Sequence, residues 1–176
     1  MTSSPELLKT LLICLFAPLV VFAAVRDAVS YTIPNWISAA LGATAIPTAL
    51  ILGVPPQAVL AAAIVGIVLL GAGMAMFALK WMGGGDAKLM AAAALWIGLP
   101  GIASFFLYTG LAGGLLALGL IAARSAYLRP FAASGPAWVG RLATPGAAAP
   151  YGVAIAVGAL ASFPHGLLMR AAHGGF

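Results

Sequence analysis

Long apolar runs separated by short polar intervals make up most of the chain. Residues 7–25 are apolar apart from Lys9, Thr10 and Cys14, and residues 33–52, 58–79 and 150–168 form further apolar runs with few polar side chains. An α-helix needs about 20 predominantly apolar residues to cross a hydrocarbon core of about 30 Å. Each of these runs is therefore predicted to be a membrane-spanning helix.

The stretch 87–123 is nearly free of charge and too long for one crossing. As a single helix it would be about 55 Å long, so the pattern predicts two crossings with a turn at Leu99-Pro100-Gly101. Residues 124–149, rich in Ala, Gly, Pro and Ser, are predicted to be a loop with little structure of its own. The predicted fold is an all-α integral membrane protein with about six transmembrane helices, in a single domain over residues 1–176.

The first apolar run has a second interpretation, a cleaved signal peptide, because Phe22-Ala23-Ala24 ends it with small residues. Signal peptides begin with a basic region and have a short apolar core. Here Glu6 offsets Lys9, and the apolar run is long for a signal core. A retained first span is therefore favoured.

Composition supports a membrane environment. Charged residues are only 6% of the 176 residues and hydrophobic residues are 64%, whereas a soluble domain has about 25% charged residues. The net charge of +5 comes from scattered cations at the ends of apolar runs, so the bilayer and not a nucleic acid is the predicted partner. The single cysteine, Cys14, permits no internal disulfide, and no metal or other cofactor is expected because no Cys, His and acidic residues have ligand spacing.

The cations also predict an orientation. In a six-span arrangement, six of the eight Lys and Arg residues fall on one side of the membrane, and Lys9 and Arg170 fall on the other. The six are Arg26, Lys80, Lys88, Arg124, Arg129 and Arg141. Lys and Arg collect in the cytoplasmic loops of membrane proteins. We therefore expect residues 26–35, 80–88 and 124–149 in the cytoplasm and both termini outside.

Two of the three acidic residues, Asp27 and Asp86, fall at the same predicted membrane face. Neighbouring carboxylates cannot both ionise easily, so one keeps a proton while the other stays charged. Such a pair can take a proton from water while it protonates a peptide carbonyl oxygen, which suggests aspartyl peptide hydrolysis. Position alone leaves open the alternative that both are loop acids balancing Arg26 and Lys88.

Three short motifs resemble those of a known family. Gly83-Gly84-Gly85-Asp86 resembles the G-x-G-D motif of intramembrane aspartyl proteases, and Gly85-Asp86-Ala87-Lys88-Leu89 resembles the G-D-x-K-L form of type IV prepilin peptidases. Asp27 followed by Ile33-Pro34-Asn35 is similar to the family's first aspartate and its I-P-N turn, and residues 150–156 are similar to its last-span motif. The short form of the family, which serves tight-adherence (Flp) pilus assembly, fits best.

The resemblance implies an aspartic endopeptidase of the bacterial inner membrane. Its substrate would be a prepilin, whose short basic leader is cut off at the cytoplasmic membrane boundary where an apolar helix begins. The implied catalytic pair is Asp27 and Asp86, and the implied substrate-binding or supporting residues are Gly83, Gly85, Lys88, Pro34 and Asn35. Longer relatives carry an N-terminal cytoplasmic domain with C-x-x-C motifs and also methylate the product; this chain has only one cysteine, so methylation is not expected.

The alternative function is that of a non-enzymatic multi-pass protein, such as a small transporter or a subunit of a pilus or secretion assembly. Transporters commonly show paired broken helices in repeated halves and substrate sites near the bilayer midplane. The sequence shows no internal repeat, and its acids lie at predicted boundaries. A peptidase is therefore the favoured function.

Overall fold

The computed structural model describes residues 4–125, 127 and 135–175, and all regular structure in these residues is helical. The helices are α1 Ser4–Cys14, α2 Phe16–Ser30, α3 Asn35–Ile51, α4 Pro56–Ala78, α5 Gly84–Ala123, α6 Ala137–Leu142, α7 Tyr151–Ser162 and, after a 3₁₀ turn Phe163–His165, α8 Leu167–Ala172. Four helical stretches are long and apolar enough to cross a membrane, namely Glu6–Ser30, Pro56–Ala78, Gly84–Ala123 and Tyr151–Ala172, and α3 is a shorter apolar helix. The prediction of an all-α, multi-pass membrane protein is confirmed.

Helix α5 consists of two helices joined at Gly98, whose φ of 59° and ψ of −174° are not helical. Near its start, Asp86 lines a cavity together with Tyr151. Much later in α5, Gly113 also lies against Tyr151, since a Cβ on this glycine would be 2.6 Å from the Tyr151 hydroxyl oxygen. In a straight helix, residues 86 and 113 would be about 40 Å apart. The chain therefore doubles back at Gly98, just before the predicted turn at Leu99-Pro100-Gly101.

The first half of α5, residues 84–97, lies at the centre of the bundle. It runs alongside α3, because Lys88 Nζ donates to Asn35 Oδ1 at 3.0 Å and Trp96 Nε1 donates to the Leu41 carbonyl at 2.8 Å. The buried Phe16 ring from α2 lies 5.3 Å from the Trp96 ring, centroid to centroid. These contacts fix the register of α2 and α3 against the central helix.

With this register, the connections between helices lie at two opposite ends of the bundle. Residues 31–34, 79–83 and, of the connection between α5 and α7, the described residues 124–125 and 135–150 lie at one end, where Gly152 contacts Asp27 and where the first turn of α5 holds Asp86. The turn 52–55, Gly98 and the 3₁₀ turn lie at the other end. We call the first of these the aspartate end. The prediction that these three connections share one face agrees with this arrangement; which face is cytoplasmic stays a prediction.

Several helix boundaries differ from the predicted ones. Asp27 lies in the last turn of α2 and Asp86 in the first turn of α5, whereas the apolar pattern predicts loops at both positions. The last span is broken by the 3₁₀ turn and continues as α8. The predicted loop 124–149 contains α6, and Arg129 lies outside the described residues. Polar side chains can continue a helix where its end leaves the apolar layer, which the hydrophobic pattern does not show.

Two arginines fix the chain around α6 to the bundle. Arg124 Nε donates to the Leu142 carbonyl and Arg124 Nη2 to the Ala147 carbonyl, both at 2.9 Å. Arg141 Nη2 donates to the Val29 carbonyl at 2.6 Å. These bonds hold residues 141–148 against the ends of α2 and α5, and so bring the start of α7 close to both aspartates.

Candidate active site

Asp27 is held by the first turn of α7. Its side chain is buried, and Oδ2 accepts a hydrogen bond of 2.7 Å from the backbone N–H of Gly152. The N–H groups in the first turn of a helix have no partner within that helix, so a carboxylate oxygen is a suitable acceptor for one of them. The bond fixes the orientation of the Asp27 carboxylate.

A larger residue than glycine does not fit at position 152. A Cβ there would lie 2.9 Å from Asp27 Oδ2 and 2.8 Å from Ile33 Cδ1. The motif at residues 150–156 thus contributes the backbone group that positions Asp27, a role that the sequence did not predict.

Asp86 lies in the first turn of α5, directly after the three glycines. Its side chain is half-buried and lies back over Gly83, so that a Cβ on Gly83 would be 2.8 Å from Asp86 Oδ2. Gly85 packs against Ile33, where a Cβ would be 3.1 Å from Ile33 Cβ. Because these glycines have no side chain, the backbone at the start of α5 lies close to the Asp86 carboxylate and to the connection between α2 and α3.

Both aspartates line one cavity of about 210 Å³, which we call the catalytic cavity; its other lining residues are Tyr31, Thr32, Ile33, Asn35, Gly83, Gly84 and Gly85. At about 30 Å³ for each water molecule, it has room for several. The two carboxylates are near enough to act on one another electrostatically. This arrangement places two acids around a space where water and a peptide bond can meet.

Asp86 also lines a second cavity, of about 740 Å³. The end of α4 and the segment before α7 form the outer wall of this cavity. Its lining residues include Phe77, Lys80, Trp81, Ala148, Ala149 and Tyr151. Trp81 is strongly exposed, so this cavity is open at the aspartate end. An extended peptide that lies in this cavity would reach Asp86 from outside the bundle.

The supporting residues predicted from sequence fall into two groups. Gly83, Gly85 and Asn35 line the catalytic cavity with the aspartates. Lys88 does not line it but donates a hydrogen bond to Asn35, and Pro34 precedes the first residue of α3. Lys88 is thus placed to hold Asn35, and Pro34 to begin α3.

Tyr31 and Thr32 also line the catalytic cavity, although the sequence did not predict them as site residues. No pattern in the sequence marks them, because they differ from ordinary loop residues only through their neighbours in space. Among the described residues, no three His, Cys, Asp or Glu side chains are grouped to hold a metal ion.

Comparison with known proteins identifies the family. Residues 14–118 match the model of the type IV leader peptidase family. The match covers more than half of the 176 residues and includes both aspartates, the connection 31–34 and the three glycines. No curated protein and no solved structure matches the chain. The matched region and the helical membrane fold lead to one conclusion: the chain belongs to the type IV leader peptidase family.

Proposed function

We propose that this leader peptidase is an aspartic endopeptidase in which Asp27 and Asp86 act together on one water molecule. The observation that carries the proposal is the catalytic cavity, which both carboxylates line although they lie on different helices. Glu6, the remaining acid, lies in α1 and pairs with Lys9 on the exposed surface. Asp27 and Asp86 are therefore the two acids that we propose to share one reacting centre.

The chemistry requires one protonated and one ionised carboxyl group. The ionised group takes a proton from water as the water oxygen attacks the peptide carbonyl carbon, and the protonated group gives its proton to the carbonyl oxygen. Collapse of the tetrahedral intermediate then breaks the C–N bond, and the amine leaves with a proton from the pair. The Gly152 N–H, which fixes Asp27, keeps one carboxylate in a constant orientation throughout.

The proposed substrate is a prepilin of the type IV or Flp class, cut at the cytoplasmic face of a bacterial inner membrane. Two exposed tryptophans, Trp36 and Trp81, lie at the aspartate end, and tryptophan is enriched at the membrane–water interface. They support a catalytic cavity at the membrane boundary, where a prepilin leader meets its apolar helix. A transporter site would instead lie near the midplane.

The test uses purified protein and candidate prepilins. We expect Asp27→Asn and Asp86→Asn each to abolish leader removal at normal protein levels, because an amide cannot take up the proton, and we expect the double variant to be no worse. Residues that act as a unit show such non-additive effects. The matched control is Glu6→Gln, which also removes one carboxylate and is expected to leave cleavage unchanged.

Chelation provides a second control. Cleavage that continues in strong chelators agrees with the two-aspartate mechanism, whereas loss on chelation and recovery with zinc would indicate a metallopeptidase. Substantial cleavage by either single Asn variant would remove that aspartate from the mechanism.

A further inference from the structure

A larger cavity of about 790 Å³ lies between α3, α4 and the first half of α5, and we call it the lateral groove; its small lining residues are Ala39, Gly42, Ala63, Gly66, Ala91 and Ala92. Helices α3 and α4 are joined by the short connection 52–55 but make almost no contact along their lengths. Both pack instead on the first half of α5, which forms the floor of the groove. The groove therefore opens sideways, toward the lipid.

The lateral groove begins at the candidate active site. Asn35 lines both the catalytic cavity and the groove, and its partner Lys88 lines the groove at the same end. From there the groove follows α3 as far as Ile46, a distance of about 16 Å along a helix axis. A groove of this length accommodates about three turns of another helix.

The small side chains favour a helix over lipid as the occupant. Lipid tails are as apolar as leucine, so apolar lining by itself does not favour a protein partner, whereas small residues let two helix backbones approach. Packing within the protein explains Gly66, where a Cβ would lie 2.6 Å from Leu95 Cδ2. It does not explain Gly42, where a Cβ would meet only Leu95 Cδ1, at 4.0 Å. Glycine is a poorer helix former than alanine, so Gly42 fits best with a helix that approaches from outside.

An unpartnered hydroxyl group lies at the active-site end of the groove. Ser38 lines the groove, and its Oγ is buried without a hydrogen-bond partner among the described residues. The first N–H groups of a helix also lack partners within that helix. A helix that begins at the catalytic cavity would bring such N–H groups beside Ser38, whose buried hydroxyl group would have to turn toward the groove to accept a hydrogen bond from one of them.

We propose that the lateral groove binds the apolar helix of the substrate. The helix would enter from the lipid and lie along α3 and α4, with its first turn beside Ser38 and the preceding peptide bond in the catalytic cavity. The inference rests on the proposed function, since it takes the substrate to be a membrane-anchored precursor.

The first test fills the groove. Gly42→Leu places a branched side chain in the groove, and we expect kcat/KM for a membrane-anchored prepilin to fall about ten-fold or more, mainly through KM, because the helix no longer fits. Gly71→Leu is the matched control. Gly71 lies on the exposed surface of α4 outside the groove, with nothing within 4 Å of a Cβ, so this variant is expected to cleave like the wild type.

The second test detects binding of the prepilin to the groove in an enzyme that does not cleave it. A photo-reactive benzoylphenylalanine replaces Ile67, an exposed residue that lines the groove, in an Asp86→Asn background; the control carries it at Gly71. We expect a covalent adduct with the prepilin from position 67 and not from position 71. Adducts only with lipid, or only with a second copy of the enzyme, would overturn the proposal, as would wild-type kinetics of Gly42→Leu.

The two tests also separate this proposal from the proposed function. If the wild type cleaves no prepilin, the proposed function fails, and the adduct from position 67 still decides whether the groove binds the helix. If the wild type cleaves and no adduct forms at position 67, only the groove proposal fails.

Discussion

At the scale of single residues, Gly152 has the most direct control over the candidate site. Its backbone N–H donates a hydrogen bond to Asp27 Oδ2, and a Cβ at position 152 would lie 2.9 Å from the same oxygen. We predict that Gly152→Ala lowers the rate of leader removal about 100-fold, because a displacement of about 1 Å in a catalytic group has an effect of this size. The measurement is cleavage of a prepilin by equal amounts of purified variant and wild type.

The control for this prediction is Gly114→Ala. Gly114 lies on the second half of α5, where a Cβ would meet nothing within 4 Å. Alanine is the better helix former there, so the variant is expected to be active and no less stable. Normal activity of Gly152→Ala would show that the Asp27 orientation does not limit the reaction.

At the scale of secondary-structure elements, the reversal within α5 depends on Gly98. The combination of φ 59° and ψ −174° is essentially restricted to glycine, and a Cβ would also lie 2.7 Å from Leu167 Cβ. We predict that Gly98→Ala lowers the free energy of unfolding by about 1–3 kcal/mol from the backbone alone, and by more when the Leu167 contact is added. Thermal unfolding in detergent measures the change.

The matched variant for this element is Gly110→Ala, on the same α5 but at a helical position with nothing within 4 Å of a Cβ. It is expected to unfold at or above the wild-type temperature. Equal unfolding temperatures for Gly98→Ala and Gly110→Ala would mean that the turn does not require glycine.

At the scale of the whole molecule, the distribution of cations predicts that the aspartate end faces the cytoplasm. In a Cys14→Ala background, an impermeant thiol reagent applied to intact cells is expected to miss Trp81→Cys and Gly135→Cys, whose positions are exposed at that end. It should label Gln57→Cys, which is exposed beside the turn 52–55 at the opposite end. The reverse pattern would place the catalytic cavity outside and exclude a cytoplasmic cleavage site.

The sequence by itself determined the class of fold and the two acids. Buried in lipid, a backbone must satisfy its own hydrogen bonds, so long apolar runs can only be helices here, and their lengths set the number of crossings. Asp27 and Asp86 stood out because charged residues are scarce in such a chain and are expensive to bury. The double crossing of residues 87–123 followed from length alone.

Only the tertiary structure decided how the site is assembled. The turn within α5 lies at Gly98, one residue before the predicted Leu99-Pro100-Gly101, because the backbone there takes a positive φ that favours glycine. Gly152 reaches Asp27 across 125 positions of the chain, and the lateral groove exists because α3 and α4 diverge over the floor formed by α5. Hydrophobic patterns report which residues enter the membrane; they carry no information on which helices meet, because every lipid-facing and every helix-facing side can be equally apolar.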